Sequence, residues 1–129
     1  MSARDEGLLM VGIMILVSLV FQLQMKLFAN ELAPLLKQLN HGVTGNLGSL
    51  VAAAIGWQPL FILLLAATLF LIWFLILTRL ELSLALPLSA VTLVINSVGA
   101  GLWLGESMTI LRVLGIIIVA IGIMLVLKS

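Results

Sequence analysis

The fold is decided by residues 7–28, which read GLLMVGIMILVSLVFQLQMKLF. A helix that crosses a bilayer needs about 20 consecutive, predominantly apolar residues. Three further runs of this kind follow, at residues 59–78, 82–104 and 109–127. The four runs predict an all-α membrane protein with four transmembrane helices.

Composition supports the same fold class. The chain has 129 residues, of which 64% are hydrophobic and 9% are charged, and its mean hydropathy is +1.38. A soluble domain of this size leaves much of its surface in water, so it has no place for so many apolar side chains. We therefore predict a multi-pass membrane protein whose single domain covers residues 1–129, with a long loop at residues 29–58.

The residue types exclude several kinds of chemistry. Without cysteine the chain has no disulfide and no thiolate site, and the single histidine, His41, cannot form a metal cluster. The spans contain scattered single polar residues rather than a nucleophile with its base. A net charge of +1 without a basic patch argues against nucleic acid. We predict no enzyme activity, no metal and no cofactor.

The termini and charges bear on topology. No small-residue cleavage pattern follows the first six residues, so the first helix is predicted to be a retained span rather than a signal peptide. One face would carry Arg4, Arg79 and Lys128, and the other Lys37 and Arg112, together with Lys26 if its side chain extends outward. This Lys/Arg balance gives a slight preference for cytoplasmic termini and leaves dual insertion open.

The loop at residues 29–58 has a helical pattern of its own. After Asn30, a candidate N-cap, and with Pro34 in the first turn, leucines recur at helical spacing, which predicts a short helix in the membrane interface. These leucines are Leu32, Leu35, Leu36 and Leu39. Residues 50–55 are apolar but too short to span, and either extend the second span or form a re-entrant cap.

Small residues in the last two spans predict close packing. In the third span, Gly99 and Gly101 permit a neighbouring backbone to approach. In the fourth, Gly115 and Gly122 lie on nearly the same side with Ala120 beside them. This face predicts a dimer seam.

Polar residues in the first span mark the candidate site. Polar and ionisable groups are costly in hydrocarbon, so by default they indicate a binding or transport path. Lys26 either extends its ammonium to the interface or receives a phosphate oxygen from a lipid. Gln22 lies one turn deeper on the same face and is positioned to donate to the same headgroup.

Three residues of the later spans join this candidate site. Glu106 either caps the fourth span together with Arg112, or pairs with Lys26 or a cationic sugar. Asn96 is either an interhelical hydrogen-bonding residue or part of a substrate groove. Trp73, deep in the second span, offers a flat wall on which a sugar can stack.

The second half of the chain resembles the drug/metabolite transporter superfamily, in its EamA-like and small multidrug resistance branches. The order and spacing of several short pieces carry this resemblance, together with Gln22, Leu23 and Lys26 of the first span. These pieces are residues 73–77, Ala-Leu-Pro-Leu-Ser at 85–89, Leu-Gly-Glu at 104–106, Arg-Val-Leu-Gly at 112–115, and Ile-Gly at 121–122. The resemblance implies an EamA-like four-helix bundle that works as a dimer.

Within the superfamily, the small multidrug exporters carry a glutamate in the first helix, and residues 7–28 contain none. The Gln-Leu-x-x-Lys of residues 22–26 instead resembles the paired small subunits that flip aminoarabinose-phosphoundecaprenol. The resemblance therefore implies a bacterial inner-membrane transporter, a flippase of an undecaprenyl-phosphate-linked sugar, acting as a homodimer or with a similar four-helix subunit. Its substrate-binding residues would be Lys26, Gln22, Asn96, Trp73 and Glu106.

Two alternatives remain open. One is a small multidrug resistance-type exporter of cationic compounds. The other is a non-transporting accessory subunit of a membrane enzyme such as a glycosyltransferase. Transport should depend on the charge of Lys26, whereas an accessory subunit should tolerate Lys26→Gln.

Overall fold

The structure, a computed structural model, describes residues 2–40 and 47–129, and most of these residues are helical. The five helices are α1 (Ala3–Asn40), α2 (Leu47–Ile55), α3 (Trp57–Arg79), α4 (Leu82–Trp103) and α5 (Ile110–Lys128). Four of them, α1, α3, α4 and α5, are long and apolar enough to cross a membrane, as the sequence predicts, and α2 is short.

Helix α1 is longer than the sequence predicts. It runs without a break for 38 residues, about 57 Å at 1.5 Å per residue, so residues 29–40 continue the first span. The expected helix start at Asn30 is wrong, because both Asn30 and Pro34 lie inside α1. Pro34 has no N–H to donate to the preceding turn, but the residues around it form helix well enough for α1 to continue.

A reciprocal cap starts α1. The Asp5 backbone N–H donates to Ser2 Oγ at 3.3 Å, and the Ser2 backbone N–H donates to Asp5 Oδ2 at 3.2 Å. This is the arrangement of a capping box, with an aspartate in place of the usual glutamate.

The second half of the predicted loop forms a helix of its own. Helix α2 ends at Ile55 and α3 begins at Trp57, with Gly56 extended between them. The nine residues of α2 are too few to cross a bilayer. Residues 41–46, which include His41, lie outside the described residues.

The buried core lies at one end of the bundle, where α1, α3 and α4 meet. Its residues are Val11, Met14, Ile76, Leu80, Ala85 and Leu88. Further along α4, Gly99 brings α1 close: a Cβ at this position would lie 2.8 Å from Leu19 Cδ1. At Gly99 the close neighbour is therefore a side chain, whereas the sequence predicted the close approach of a backbone.

Helix α5 packs on one neighbour. Within the described residues its backbone approaches that of α4 and of no other helix, and Ile123 is its one buried residue. A Cβ at Gly115 or Gly122 would meet nothing within 4 Å. These glycines therefore do not serve packing inside the described chain, and the dimer seam stays a prediction.

Candidate functional site

A groove opens between α1 and α5, with α4 as its floor. Its volume is about 680 Å³, within the range of ligand sites in proteins. No Cα atom of α1 lies within 8 Å of a Cα atom of α5 in the described part of the chain, so helix packing does not close the groove on this side.

The α4–α5 connection holds the charged end of the groove. Lys26 Nζ of α1 lies 3.0 Å from Glu106 Oε1, and their side chains are 47% and 39% exposed. Glu106 follows Gly105, whose φ of +64° is in the left-handed region that glycine adopts without strain. This turn brings the carboxylate back across the groove to α1.

The structure thus selects between the two predictions for Glu106. The pairing of Glu106 with Lys26 is confirmed. The predicted cap of α5 by Glu106 and Arg112 is wrong: the N-cap of α5 is Thr109, which makes no side-chain capping hydrogen bond. The carboxylate is engaged by the ammonium of Lys26 instead.

A second cation, Arg112, lines the same end of the groove. It lies in the first turn of α5 and is exposed. Its Nη1 donates to the Ser107 carbonyl oxygen at 3.5 Å, a distance at which a hydrogen bond is weak. The groove therefore has two positive groups and one negative group at its charged end.

Uncharged polar groups continue the groove deeper into the bundle. Gln22, one turn before Lys26, and Asn96 and Ser97 of α4 line it. Asn96 Oδ1 is buried and accepts no hydrogen bond from the described residues. Asn96 lies eight positions before Leu104, which directly follows α4. Its backbone is therefore about 12 Å along the helix axis from the charged end of the groove. The side chain of Asn96 is thus part of the groove, one of the two alternatives that its sequence position left open.

Apolar side chains form most of the remaining walls. They include Leu19 and Leu23 of α1 and Ile116 and Val119 of α5. The groove is therefore amphipathic: its charges lie at one end, amides and a hydroxyl lie further in, and hydrocarbon surrounds them.

Tryptophans mark the level of the charged end. Trp103 is the last residue of α4, and Trp57 is the first residue of α3. Since α3 runs antiparallel to α1 and α4, both indoles lie at the end of the bundle that holds Glu106. They are 63% and 75% exposed, as expected of side chains at a membrane–water interface.

Four of the predicted site residues lie together and one does not. Lys26, Gln22, Asn96 and Glu106 all line the groove. Trp73 lies elsewhere, where α3 packs against the buried core. The structure does not bring this indole to the groove, because α3 is not among the helices that form it.

Two polar lining residues were not among the predicted site residues. Ser97 follows Asn96 directly, and an amide next to a hydroxyl in an apolar span was the available signal. Arg112 was interpreted as the partner of Glu106 in a cap of the fourth span. Only the fold shows that it faces the groove from the wall opposite Lys26.

No protein-family model, curated protein or solved structure matches this chain. The class that the fold defines is a multi-pass membrane protein of four long apolar helices with an amphipathic side groove.

Proposed function

We propose that the protein is a transporter subunit, a flippase that moves a polyprenyl-phosphate-linked sugar between the leaflets of the bacterial inner membrane. The observation that carries this proposal is the amphipathic groove, which is open to the side between α1 and α5. A lipid headgroup has to cross the membrane while its tail remains in hydrocarbon. A laterally open groove with polar lining meets this requirement.

The order of the lining residues supports an anionic amphiphile. Lys26, Arg112 and Glu106 lie at the end where the indoles of Trp57 and Trp103 mark the interface. Phosphate is bound there by cations. Deeper in the groove, the amides of Gln22 and Asn96 are available as hydrogen-bonding partners for sugar hydroxyls. The buried Oδ1 of Asn96 supports this role, because an unpaired buried acceptor is costly unless something donates to it.

The EamA-like and small multidrug resistance-like character of the bundle belongs to the same proposal. In this superfamily two similar four-helix subunits enclose the substrate path. Helix α5 supports a paired arrangement, since it packs only on α4 within the described residues and exposes Gly115 and Gly122. The second subunit is a copy of this chain or a similar four-helix protein.

The dimer is tested at Gly122. Leucine there is expected to weaken association about tenfold, because it prevents the close approach of a second helix. The measurement is the concentration dependence of mass by multi-angle light scattering in detergent. Gly12→Leu is the control, since Gly12 also has nothing within 4 Å of a Cβ and lies on α1. If Gly122→Leu and Gly12→Leu associate equally, the dimer seam does not include Gly122.

The transport proposal is tested by reconstitution. Liposomes containing the protein should move a fluorescent undecaprenyl-phosphate sugar from one leaflet to the other faster than protein-free liposomes. Lys26→Gln should lower this rate about tenfold, because the variant loses one cation and leaves the Glu106 carboxylate alone to repel the phosphate. Lys128→Gln is the control: it removes one charge at the far end of α5.

The alternatives predict other outcomes. An exporter of cationic compounds would move a lipophilic cation rather than the phosphate lipid. The excess of positive groups in the groove disfavours binding of such a cation. An accessory subunit would move neither and would retain its binding to a larger enzyme in the Lys26→Gln variant. Transport of the phosphate lipid at the protein-free rate would overturn the proposal.

A further inference from the structure

The three charged groups of the groove are not equivalent. The Lys26 ammonium is matched by the Glu106 carboxylate at 3.0 Å. Arg112 has no carboxylate partner among the described residues, and its hydrogen bond is to the neutral carbonyl of Ser107. The positive charge that remains uncompensated in the groove is therefore that of Arg112.

Anion binding at Lys26 and anion binding at Arg112 differ in the existing contacts that they disturb. A phosphate that binds Lys26 also meets the Glu106 carboxylate, which lies 3.0 Å from the ammonium, so repulsion by this carboxylate offsets the attraction to Lys26. A phosphate that binds Arg112 displaces only a weak hydrogen bond to Ser107. In addition, guanidinium presents its N–H groups in a planar fork that binds two phosphate oxygens at once, whereas an ammonium acts as a point charge.

The position of Arg112 is suited to this role. It extends from α5, on the opposite wall of the groove from Lys26 on α1, and both line the same cavity. Because the Cα atoms of α1 and α5 stay more than 8 Å apart within the described residues, a headgroup between the two helices can reach Arg112 without breaking the Lys26–Glu106 pair.

We propose that Arg112 is the side chain that binds the anionic phosphate of the ligand, and that Glu106 competes with the ligand for Lys26. This assignment rests on the function proposed above and adds a specificity residue to the same groove. The ligand chemistry is a phosphate monoester or diester, which a lipid headgroup and free phosphate share.

The test measures equilibrium binding to the full-length protein in detergent, followed by tryptophan fluorescence and by native mass spectrometry. Three probes separate the sources: farnesyl phosphate, farnesol and inorganic phosphate. The wild type should prefer farnesyl phosphate to the other two. Equal binding of farnesyl phosphate and farnesol would overturn the proposed function and the role of Arg112 together. Preference for inorganic phosphate would overturn the lipid source alone.

The variants then test Arg112 itself. Arg112→Gln should lose about tenfold in affinity for farnesyl phosphate, without a change for farnesol. Arg112→Lys, which keeps the charge but not the fork, should lose about threefold. Lys128→Gln is the charge control and should bind as the wild type does. Because the Arg112 side chain is exposed, thermal unfolding should be unchanged in all three variants.

The double variant Lys26→Gln with Glu106→Gln decides between the two cations. It removes the ion pair as a unit, so the groove keeps the charge of Arg112. If Arg112 binds the phosphate, this variant should lose no more than about threefold in affinity. A loss of about tenfold there, with Arg112→Gln at the wild-type affinity, would assign the phosphate to Lys26 and overturn the inference while leaving the proposed function standing.

Discussion

Among the described residues, each of the two ends of the bundle has one ion pair that joins α1 to another segment, yet the surroundings of the two pairs differ. At the first end, Glu6 of α1 binds Arg79, the last residue of α3. At the second end, Lys26 of α1 binds Glu106 of the α4–α5 connection. The exposed fractions of the side chains are similar in the two pairs.

The surroundings separate these similar contacts. Close to the Glu6–Arg79 pair, the side chain of Leu80 belongs to the buried core and fills the space beside Gly7. Beneath the Lys26–Glu106 pair lies the open groove. An ion pair is therefore not a sign of function by itself. The first end also has a cavity, of about 560 Å³, lined by the cations Arg4 and Arg79. The groove at the second end differs because it continues to uncharged polar groups, among them the buried Asn96 Oδ1, which accepts no hydrogen bond from the described residues.

The largest effect on the free energy of unfolding is expected from a substitution in the buried core. Ile76 is 0% exposed, so Ile76→Ala should lower the free energy of unfolding by about 2 kcal/mol or more, through lost packing and a new cavity. Leu63→Ala, on the same helix but 66% exposed, should change it by less than about 0.5 kcal/mol. Thermal unfolding in detergent measures both, and equal costs would contradict the burial of Ile76 in the core.

A smaller loss of stability is expected from a substitution in the connection between α4 and α5. Gly105→Ala should cost about 1 kcal/mol, because alanine is strained at a φ of +64° although its Cβ would meet nothing within 4 Å. The control is Gly12→Ala, in the middle of α1, which should be neutral or stabilising by about 0.5 kcal/mol. Unfolding midpoints compare the two, and a neutral Gly105→Ala would argue against the left-handed turn.

The smallest expected effects sharpen the comparison of the two ion pairs. Double-mutant cycles should give a coupling free energy of about 0.5 kcal/mol for each pair, because all four side chains are about one third to one half exposed. Both couplings should fall as salt is added. A coupling above about 2 kcal/mol at either pair would mean that its charges are far less screened than their exposure indicates.

Substitutions in the two ion pairs should then differ in their effect on lipid transport, although the two coupling free energies are similar. Glu6→Gln should leave lipid transport unchanged, whereas Glu106→Gln should change it, since Glu106 lines the groove. The reconstitution assay described above measures both. Loss of transport in Glu6→Gln alone would move the functional site to the packed end.

Much of the fold follows from local pattern. Four long apolar runs sufficed to predict four potential spans, because a span needs only length and apolar composition. The weaker signals around Asn30 and Pro34 misled, since a candidate cap and a proline in isolation predict a helix start. In the structure they lie within α1, where the helix-forming residues on both sides outweigh the single lost hydrogen bond.

The candidate site was partly within reach of sequence reasoning. Polar residues in apolar helices stand out because hydrocarbon does not solvate them, which singled out Lys26, Gln22 and Asn96. Trp73 was included because its indole offers a flat wall on which a sugar can stack, but an indole can equally fill a core, and composition does not say which. Arg112 was assigned to a cap with Glu106, because a cation near a helix end is ordinary.

The sequence by itself determined the class of protein, the number of long apolar helices and the polar residues that hydrocarbon would make costly, because these depend on residue type and spacing alone. The tertiary structure decided that α3 packs against the core while α1, α4 and α5 surround a groove, and that Glu106 binds Lys26 while Arg112 is left unmatched. These outcomes depend on which helix faces which neighbour. In apolar helices that are hydrophobic on every side, packing and not periodicity makes that choice.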